Sequence, residues 1–243
     1  MRIIPRIEIK NNFVIKGINL EGLRKIGDPN ILGKKYYLDG ADELLFMDVV
    51  ASLYGRNNIF EIIKKITKDI FIPITVGGGI RNIEDIQKAL NSGADKVFIN
   101  SAAVKNPNFI KEAVSVFGSS TIVVSIETRK NKKNFWEIFI HNGREETGIE
   151  LKNWLKKIQQ LKCGEILITS IDNEGTRKGF DLDLLNLLKK EKISTPLIFC
   201  GGCGNLEHIK KIKKNLKDDA IAISSILHYN LSTIKEIKKS VNV

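Results

Sequence analysis

The chain has 243 residues, of which 42% are hydrophobic and 28% are charged, and its formal net charge is +11. This is enough apolar material for one sizeable core. The apolar runs fall short of the roughly 20 residues that span a bilayer, and the N-terminus lacks the pattern of a signal peptide, so we predict a cytoplasmic location and no membrane. The lysine runs alternate with Ile and Leu at helical spacing, which is typical of solvated helix faces, and no groove-reading motif indicates nucleic acid.

Short apolar runs rich in β-formers alternate with longer amphipathic runs along the whole chain. Strands are predicted at residues 2–9, 44–50, 72–76, 96–100, 121–127, 165–169, 196–200 and 219–223. Helices are predicted at residues 30–40, 57–69, 82–93, 106–117, 150–162, 182–191, 205–216 and 231–240. This alternation predicts an α/β protein in which eight parallel strands close into a single (β/α)8 TIM barrel over residues 1–243.

The chain also repeats itself at a spacing of about half its length. Glu8 in Ile-Glu-Ile recurs as Glu127 in Ile-Glu-Thr, and the glycines at 77–79 recur at 201–202. A repeat this long indicates one domain built from two half-barrels, at about 1–119 and 120–243.

Two carboxylates are expected at the C-terminal mouth of the barrel, where this fold carries its chemistry. Glu8 ends the first strand and Glu127 ends the fifth, and these strands lie opposite each other in a closed ring of eight. Such a pair is suited to moving protons on a bound substrate. The alternative is ordinary ion pairs with the neighbouring Lys10 and Arg129.

Small residues follow four of the predicted strands and indicate phosphate binding. Backbone N–H groups in such turns can close on a phosphate, and the loops after strands seven and eight are the usual phosphate site of this fold. The motif occurs in both halves, so we predict a ligand with a phosphate at each end; the alternative is tight turns that simply need glycine. The residues concerned are Gly79, Asn100, Ser101, Gly201, Gly202, Ser224 and Ser225.

Three further features carry predictions. Residues 10–29 have no clear period and are predicted to form a functional lid loop, in which Lys16 either reaches a substrate phosphate or is solvated.

Cys200 and Cys203 match C-x-x-C but end an apolar strand, so a redox or zinc site is the less favoured interpretation, and we expect no metal ion and no cofactor. At the N-terminal strand ends, alternating charges form either an ionic plug at the barrel floor or ordinary stabilising pairs. These floor residues are Arg2, Glu43, Lys96 and Glu165.

Taken together, these segments resemble the cyclase subunit of imidazole glycerol phosphate synthase, nearly end to end. The motifs that carry the resemblance are Arg2-Ile-Ile-Pro5, Val14-Ile-Lys16-Gly17, Gly27-Asp28-Pro29, Asp42-Glu-Leu-Leu-Phe-Met-Asp48, Thr75-Val-Gly-Gly-Gly-Ile80, Gly93-Ala-Asp-Lys-Val97, Glu165-Ile-Leu-Ile-Thr-Ser-Ile-Asp172 and Gly175-Thr176. The related isomerase of the histidine pathway is also a duplicated barrel, but the segment 169–176 and the Gly27-Asp28-Pro29 loop are similar to the cyclase branch.

The resemblance implies an ammonia-dependent lyase and cyclase of histidine biosynthesis. Ammonia from a separate glutaminase subunit passes up through the barrel, and a ribulosyl aminoimidazole-carboxamide ribotide with two phosphates gives imidazole glycerol phosphate and a purine precursor. By the same resemblance the floor residues match the family's ammonia gate, and Asp95 lies near the docking surface for the glutaminase. Substrate-binding positions implied in this way are Lys16, Asp48, Gly79, Asn100, Ser101, Thr169, Glu174, Gly175, Gly201, Gly202, Ser224 and Ser225.

The chain departs from the family at the centre of this chemistry. The catalytic residues of the family are aspartates, whereas Glu8 and Glu127 occupy those positions, and Glu174 stands where another aspartate is usual. One added methylene moves a carboxylate by an amount that can cost on the order of a hundredfold in rate. The departure indicates either a compensated pocket or another substrate. Two alternatives therefore stay open: a subunit that delivers ammonia for another reaction, such as amidination of a surface nucleotide sugar, and a barrel that only activates a glutaminase.

Overall fold

The computed structural model describes residues 1–51, 59–216 and 219–242, and within them the chain forms twelve strands. In chain order they are β1 (Arg2–Lys10), β2 (Phe13–Ile18), β3 (Glu21–Gly27), β4 (Leu44–Asp48), β5 (Ile74–Gly77), β6 (Lys96–Ile99), β7 (Ile122–Lys130), β8 (Trp136–Ile140), β9 (Glu145–Glu150), β10 (Glu165–Ser170), β11 (Leu197–Cys200) and β12 (Ala220–Ile223). Eight of them are parallel and follow one another in the order β1, β4, β5, β6, β7, β10, β11, β12. Because β12 pairs with β1, the ring is closed, which confirms the predicted (β/α)8 barrel.

Helices connect the barrel strands and cover the outside of the ring. They are α1 (Pro29–Leu38), α2 (Ile59–Ile66), α3 (Ile83–Asn91), α4 (Ser101–Lys105), α5 (Asn108–Phe117), α6 (Leu151–Leu161), α7 (Leu182–Lys190), α8 (Leu206–Lys213), α9 (Ser225–His228) and α10 (Ile234–Ser240). The eight predicted helices are present; residues 57–58 of the second one lie outside the described residues. The short helices α4 and α9 were not predicted, and each follows a barrel strand at the mouth.

Helix starts follow from short polar side chains that accept the first free N–H groups. Asn82 accepts from Asp85 N, Asn205 accepts from His208 N, and Thr233 forms a capping box with Glu236. On α8, Ile209 and Ile212 are buried while Lys210 and Lys211 between them are exposed, as the lysine pattern predicts. No helix of the described residues is both long enough and apolar enough to cross a bilayer.

Two antiparallel hairpins extend the barrel at equivalent places in its two halves. Strands β2 and β3 follow β1, and β8 and β9 follow β7. The first hairpin corrects the prediction of a lid loop at 10–29. Val14 and Ile15 are successive residues of β2 and are buried in different clusters, Val14 in the larger one and Ile15 in the inner one. In the second, Asn142 and Gly143 both have positive φ, as a tight hairpin turn requires. The hairpin correspondence fits a duplicated barrel, and the boundary at 119/120 stays a prediction.

The alternation of side chains along β1 shows how the barrel is filled. Ile3, Ile7 and Ile9 point outward and are buried against the helices, in the larger of the hydrophobic clusters. Ile4 points inward and packs in a second cluster with side chains of the other barrel strands. The remaining inward positions of this strand, Arg2, Arg6 and Glu8, are charged and place charge at the floor and at the mouth.

Candidate active site

Glu8 and Glu127 lie at the C-terminal ends of β1 and β7, which are four strands apart in either direction around the ring. Both side chains are almost wholly buried. The predicted opposition of the two carboxylates across the mouth is therefore confirmed by the strand order. Neither forms the alternative pair: Glu8 contacts Lys16 and Arg6, and Arg129 pairs instead with Asp172.

Glu127 is a carboxylate whose proton affinity is raised strongly by its surroundings. Burial raises its pKa to about 7, against the opposing effects of Arg6 and of a hydrogen bond from Gly143, while the nearby charge of Glu8 adds to the rise. Gly143 N donates to Glu127 Oε2 at 2.8 Å from the turn of the second hairpin. A carboxyl group that titrates close to neutral pH is suited to act as a general acid and then as a base.

On the other side of the mouth lies a buried cluster of four charged side chains, with Lys16 between the two carboxylates. Lys16 Nζ donates to Glu8 Oε2 at 2.7 Å and also to Glu174, and Arg6 Nη2 lies 3.0 Å from Glu8 Oε1. Two cations balance two carboxylates, which is the condition under which buried charges are tolerated. Burial opposes the charge on Glu174, but Lys16 and Arg6 outweigh it and lower the pKa of Glu174 to about 2.

Three of the predicted binding residues contact members of this cluster. Lys16 is buried, so the solvated alternative is wrong, and its ammonium group is directed to carboxylates. Although burial opposes it, Glu174 and Glu8 raise the pKa of Lys16. Thr169 Oγ1 accepts a hydrogen bond from Arg6 Nη1 at 3.1 Å. Lys16 and Glu174 therefore pair with each other at the centre of the mouth, and Thr169 is bonded to Arg6 of the same cluster.

A cavity of about 310 Å³ opens beside Glu127 on the first half of the ring. Asp48 lies at its edge, where one carboxylate oxygen accepts from Val50 N and Ala51 N at 3.0 Å each, and burial raises its pKa. Gly78, with φ +93°, brings the loop backbone so close that a Cβ would lie 2.1 Å from the carbonyl oxygen of Asp48. Predicted residues that line this cavity are Asp48, Gly79, Asn100, Ser101 and Glu127.

A second cavity, of about 380 Å³, lies on the opposite side and is lined by Lys16 and Gly175 among others. Gly175, with φ +76°, packs against the carbonyl oxygen of Gly17 in the first hairpin. Gly202, with φ +96°, is equivalent to Gly78, and a Cβ there would lie 1.9 Å from a backbone oxygen. Close backbone contacts therefore require glycine at 78, 175 and 202, and Gly201 is buried next to Gly202. Phosphate binding by these loops stays a prediction.

Equivalent residues, Asn100 and Ser224, precede the short helices α4 and α9 as N-caps, and neither side chain bonds to its own helix. Ser101 Oγ accepts from His141 N at 3.0 Å. Within the described residues, Asn100 Oδ1 and the hydroxyl of Ser225 are buried and have no hydrogen-bond partner. Buried polar atoms without partners are rare, so these two atoms are free to bond a polar ligand.

At the opposite end of the barrel, four charged side chains close a ring. Arg2 and Lys96 each pair with both Glu43 and Glu165; Lys96 Nζ lies 2.8 Å from Glu43 Oε2 and 2.9 Å from Glu165 Oε2. Although burial opposes it, Lys96 and Arg2 lower the pKa of Glu165. The predicted convergence of floor charges is therefore present. The exposed Asp95 lies at the start of β6, where its Oδ2 accepts from Ile74 N.

The cysteines of the C-x-x-C segment are buried on the end of β11. Burial raises the pKa of Cys200 to about 12, with Glu174 adding to it, and burial also raises the pKa of Cys203. A reactive thiol needs the opposite shift. Within the described residues, no group of three or more His, Cys, Asp or Glu side chains could hold a metal ion.

The sequence interpretation missed Arg6 and the turn residue Asn142. Arg6 stands two residues before Glu8, so strand alternation places it inside the barrel once Glu8 is taken as inward. Asn142 is buried in the first cavity, and its Asn-Gly pair just after an apolar run is a hairpin signal. Both signals were present in the sequence.

Comparison with known proteins gives consistent matches over the whole chain. A family model described as "Histidine biosynthesis protein" matches residues 2–233. The chain is 43% identical to the "Imidazole glycerol phosphate synthase subunit HisF" of Methanococcus vannielii, over 99% of this chain and 95% of that protein. It is 51% identical to the protein of the same name from Legionella pneumophila, over 85% of this chain and 97% of that protein. For the one from Methanocaldococcus jannaschii the identity is 44%, over 98% of this chain and 94% of that protein.

Proposed function

Because the chain belongs to the histidine biosynthesis family and, within it, to the HisF subunits of imidazole glycerol phosphate synthase, we propose that it is the ammonia-dependent cyclase of that reaction. Its substrate is the ribulosyl aminoimidazole-carboxamide ribotide with two terminal phosphates. Its products are imidazole glycerol phosphate and aminoimidazole-carboxamide ribotide. We place this reaction in the cytoplasm.

The observation that carries this proposal is the opposition of two buried carboxylates between two cavities. Glu127 borders the first cavity, and Lys16, which is bonded to Glu8, borders the second. A ligand with a phosphate in each cavity would lie across the mouth and present its central atoms to both carboxylates. Cyclisation with ammonia needs protons removed from and returned to those central atoms, which is general acid and base chemistry.

The two carboxylates are suited to different steps. Glu127, with a pKa of about 7, is present in both protonation states at neutral pH and can donate a proton to a leaving or carbonyl oxygen. Glu8, held between Lys16 and Arg6, is the base in our proposal. Lys16 moves from Glu174 toward substrate oxygen when the ligand enters, since its three N–H donors can serve more than one acceptor.

Two groups of polar residues would hold the phosphates. The first site uses the loop at Gly79 and the start of α4, and Asp48 contacts the adjoining hydroxyl groups. The second uses the turn at Gly175 and the start of α9. Positive charge in the second cavity comes also from Arg24 and Arg177. The full set is Asp48, Gly79, Asn100, Ser101, Thr169, Gly175, Gly201, Gly202, Ser224 and Ser225.

Ammonia enters from the floor in this proposal. The ring of Arg2, Glu43, Lys96 and Glu165 closes that end of the barrel and acts as its gate. Asp95, exposed on the same face, contributes to the surface on which the partner glutaminase docks. A subunit of a synthase has a partner, and a glutaminase of the HisH type is the partner that supplies ammonia.

A second candidate function is supported by the glutamates themselves. Glu8 and Glu174 occupy positions where the family has aspartates, and both are bonded to the same lysine. The longer side chains fill the centre of the mouth with ion pairs, which favours an altered acceptor. In this second candidate the barrel delivers ammonia for amidination of another phosphorylated substrate, such as a nucleotide sugar.

Growth of a histidine-requiring strain that lacks the cyclase separates the two functions. The intact gene restores growth without histidine if the first proposal holds, whereas Glu8→Gln and Glu127→Gln do not. Glu146→Gln is the matched control, because it makes the same substitution at an exposed residue of β9 outside the mouth. Failure of the intact gene, with soluble protein present in the cells, would contradict the first proposal and favour the second.

A further inference from the structure

Arg6 lies inside the barrel, between the floor and the mouth. Side chains of β1 alternate, so Arg2, Ile4, Arg6 and Glu8 form a column along the barrel interior. Arg2 belongs to the floor ring, Ile4 to the apolar inner cluster, and Glu8 to the mouth. Arg6 is therefore the first charged side chain above the apolar layer.

The guanidinium of Arg6 reaches across the interior rather than along its own strand. Nη1 contacts Thr169 Oγ1 on β10 at 3.1 Å and Cys200 Sγ on β11 at 3.2 Å. Nη2 contacts Met47 Sδ on β4 at 3.3 Å and Glu8 on β1 at 3.0 Å. Apart from its own strand and the adjacent β4, the group contacts β11 and β10, which lie two and three strands away around the ring, so it reaches into the bore from β1.

The surroundings of Arg6 explain why it stays there. Arg6 is 1% exposed and remains charged at any ordinary pH. The negative charges of Glu8 and Glu174 balance the positive charges of Arg6 and Lys16. Within the described residues, its Nε is buried and has no hydrogen-bond partner. The inner cluster below it, which includes Ile4, Leu45 and Leu167, is apolar.

We propose that Arg6 is a seal across the barrel, which separates the apolar interior from the acid and base pair above it. It positions Glu8 from below and excludes water of the mouth from the interior. A further consequence rests on the proposed function: ammonia that enters through the floor must pass this guanidinium. The buried cation would repel ammonium, because like charges interact strongly where water is excluded, and neutral ammonia would pass only when the guanidinium moves aside.

The thiol of Cys200 provides a direct test, since the seal covers it. Removing Arg6 alone would leave Lys16 with two carboxylates, so the variant is made in a Glu8→Gln background that keeps the cluster neutral. Labelling with methyl methanethiosulfonate, followed by mass spectrometry, is compared between Glu8→Gln and the double variant with Arg6→Ala. We expect Cys200 to be labelled at least tenfold faster in the double variant, even though loss of the Arg6 cation by itself raises the pKa of the thiol and slows its reaction.

Two controls keep this result specific. Cys163, which is buried elsewhere, reports opening of the whole fold and should be labelled equally slowly in both proteins. Met47→Ala removes another side chain of comparable length beside the guanidinium and should leave Cys200 protected. Equal labelling of Cys200 with and without Arg6, or a parallel rise at Cys163, would overturn the seal. Because no substrate is used, this outcome is independent of whether the proposed cyclase activity is found.

Discussion

Glu127 makes the stability of the protein depend on pH in a direction that can be measured. Its pKa is raised from 4.5 to about 7, so the folded state holds a proton that the unfolded chain releases. Its unfavourable contribution to folding therefore appears above pH 4.5, grows as pH rises, and is complete above pH 7. Glu127→Gln mimics the protonated side chain and can still accept the Gly143 hydrogen bond, so it should remove this penalty.

The size of the effect follows from the shift. At 1.36 kcal/mol for each pKa unit, Glu127→Gln should gain roughly 2 to 3 kcal/mol more over the wild type at pH 8 than at pH 5. Urea denaturation of both proteins at several pH values gives the difference in the free energy of unfolding. Glu146→Gln, the exposed control, should show no such trend. A difference for Glu127→Gln that is constant with pH, or that falls as pH rises, would refute the assignment of Glu127 as a buried carboxyl titrating near neutrality.

Two further predictions concern the packing of the mouth. Lys16→Met should lower the free energy of unfolding at pH 7 by about 3 to 5 kcal/mol, because it leaves two buried carboxylates with Arg6 alone. Since the pKa of Glu174 is depressed, this loss should shrink as pH falls from 4.5 toward 2. A loss that stays unchanged over that range in urea denaturation would contradict the ion-pair assignment. Gly78→Ala should lower the free energy of unfolding by at least about 2 kcal/mol more than Gly118→Ala. Both glycines have positive φ, but only a Cβ at 78 would meet a backbone oxygen. Equal melting temperatures for the two variants would show that the close contact is relieved.

The barrel could be predicted because the strands and helices alternate with clear apolar periods, and the opposition of Glu8 and Glu127 then follows from counting strands. The ionic ring at the floor could be predicted for the same reason, since inward-facing charged side chains at the start of neighbouring strands lie close together inside a closed barrel. The first hairpin was missed because its second strand, β3, is largely exposed and has no alternating apolar pattern. The charged cluster was missed because it joins Lys16, Glu174 and Arg6 from three separate segments, and only the closed ring brings them together.

The added methylene of the glutamates marks the limit of what the sequence can predict. Side-chain length alone suggests a misplaced carboxylate, but contacts decide where the oxygens lie. Glu8 is held by Lys16 at 2.7 Å and Arg6 at 3.0 Å, and Glu127 by Gly143 N at 2.8 Å. These partners fix the longer side chains in single positions, which is the first requirement for a compensated pocket.

Turnover of the ribulosyl substrate by the purified protein, with 15N-labelled ammonium salt in place of a glutaminase, tests the central claim most directly. The proposed cyclase forms imidazole glycerol phosphate that carries 15N, together with one equivalent of aminoimidazole-carboxamide ribotide, and Glu127→Gln abolishes both products. Intact substrate after prolonged incubation with folded protein and saturating ammonium would contradict the proposal and leave ammonia delivery to another acceptor as the function to pursue.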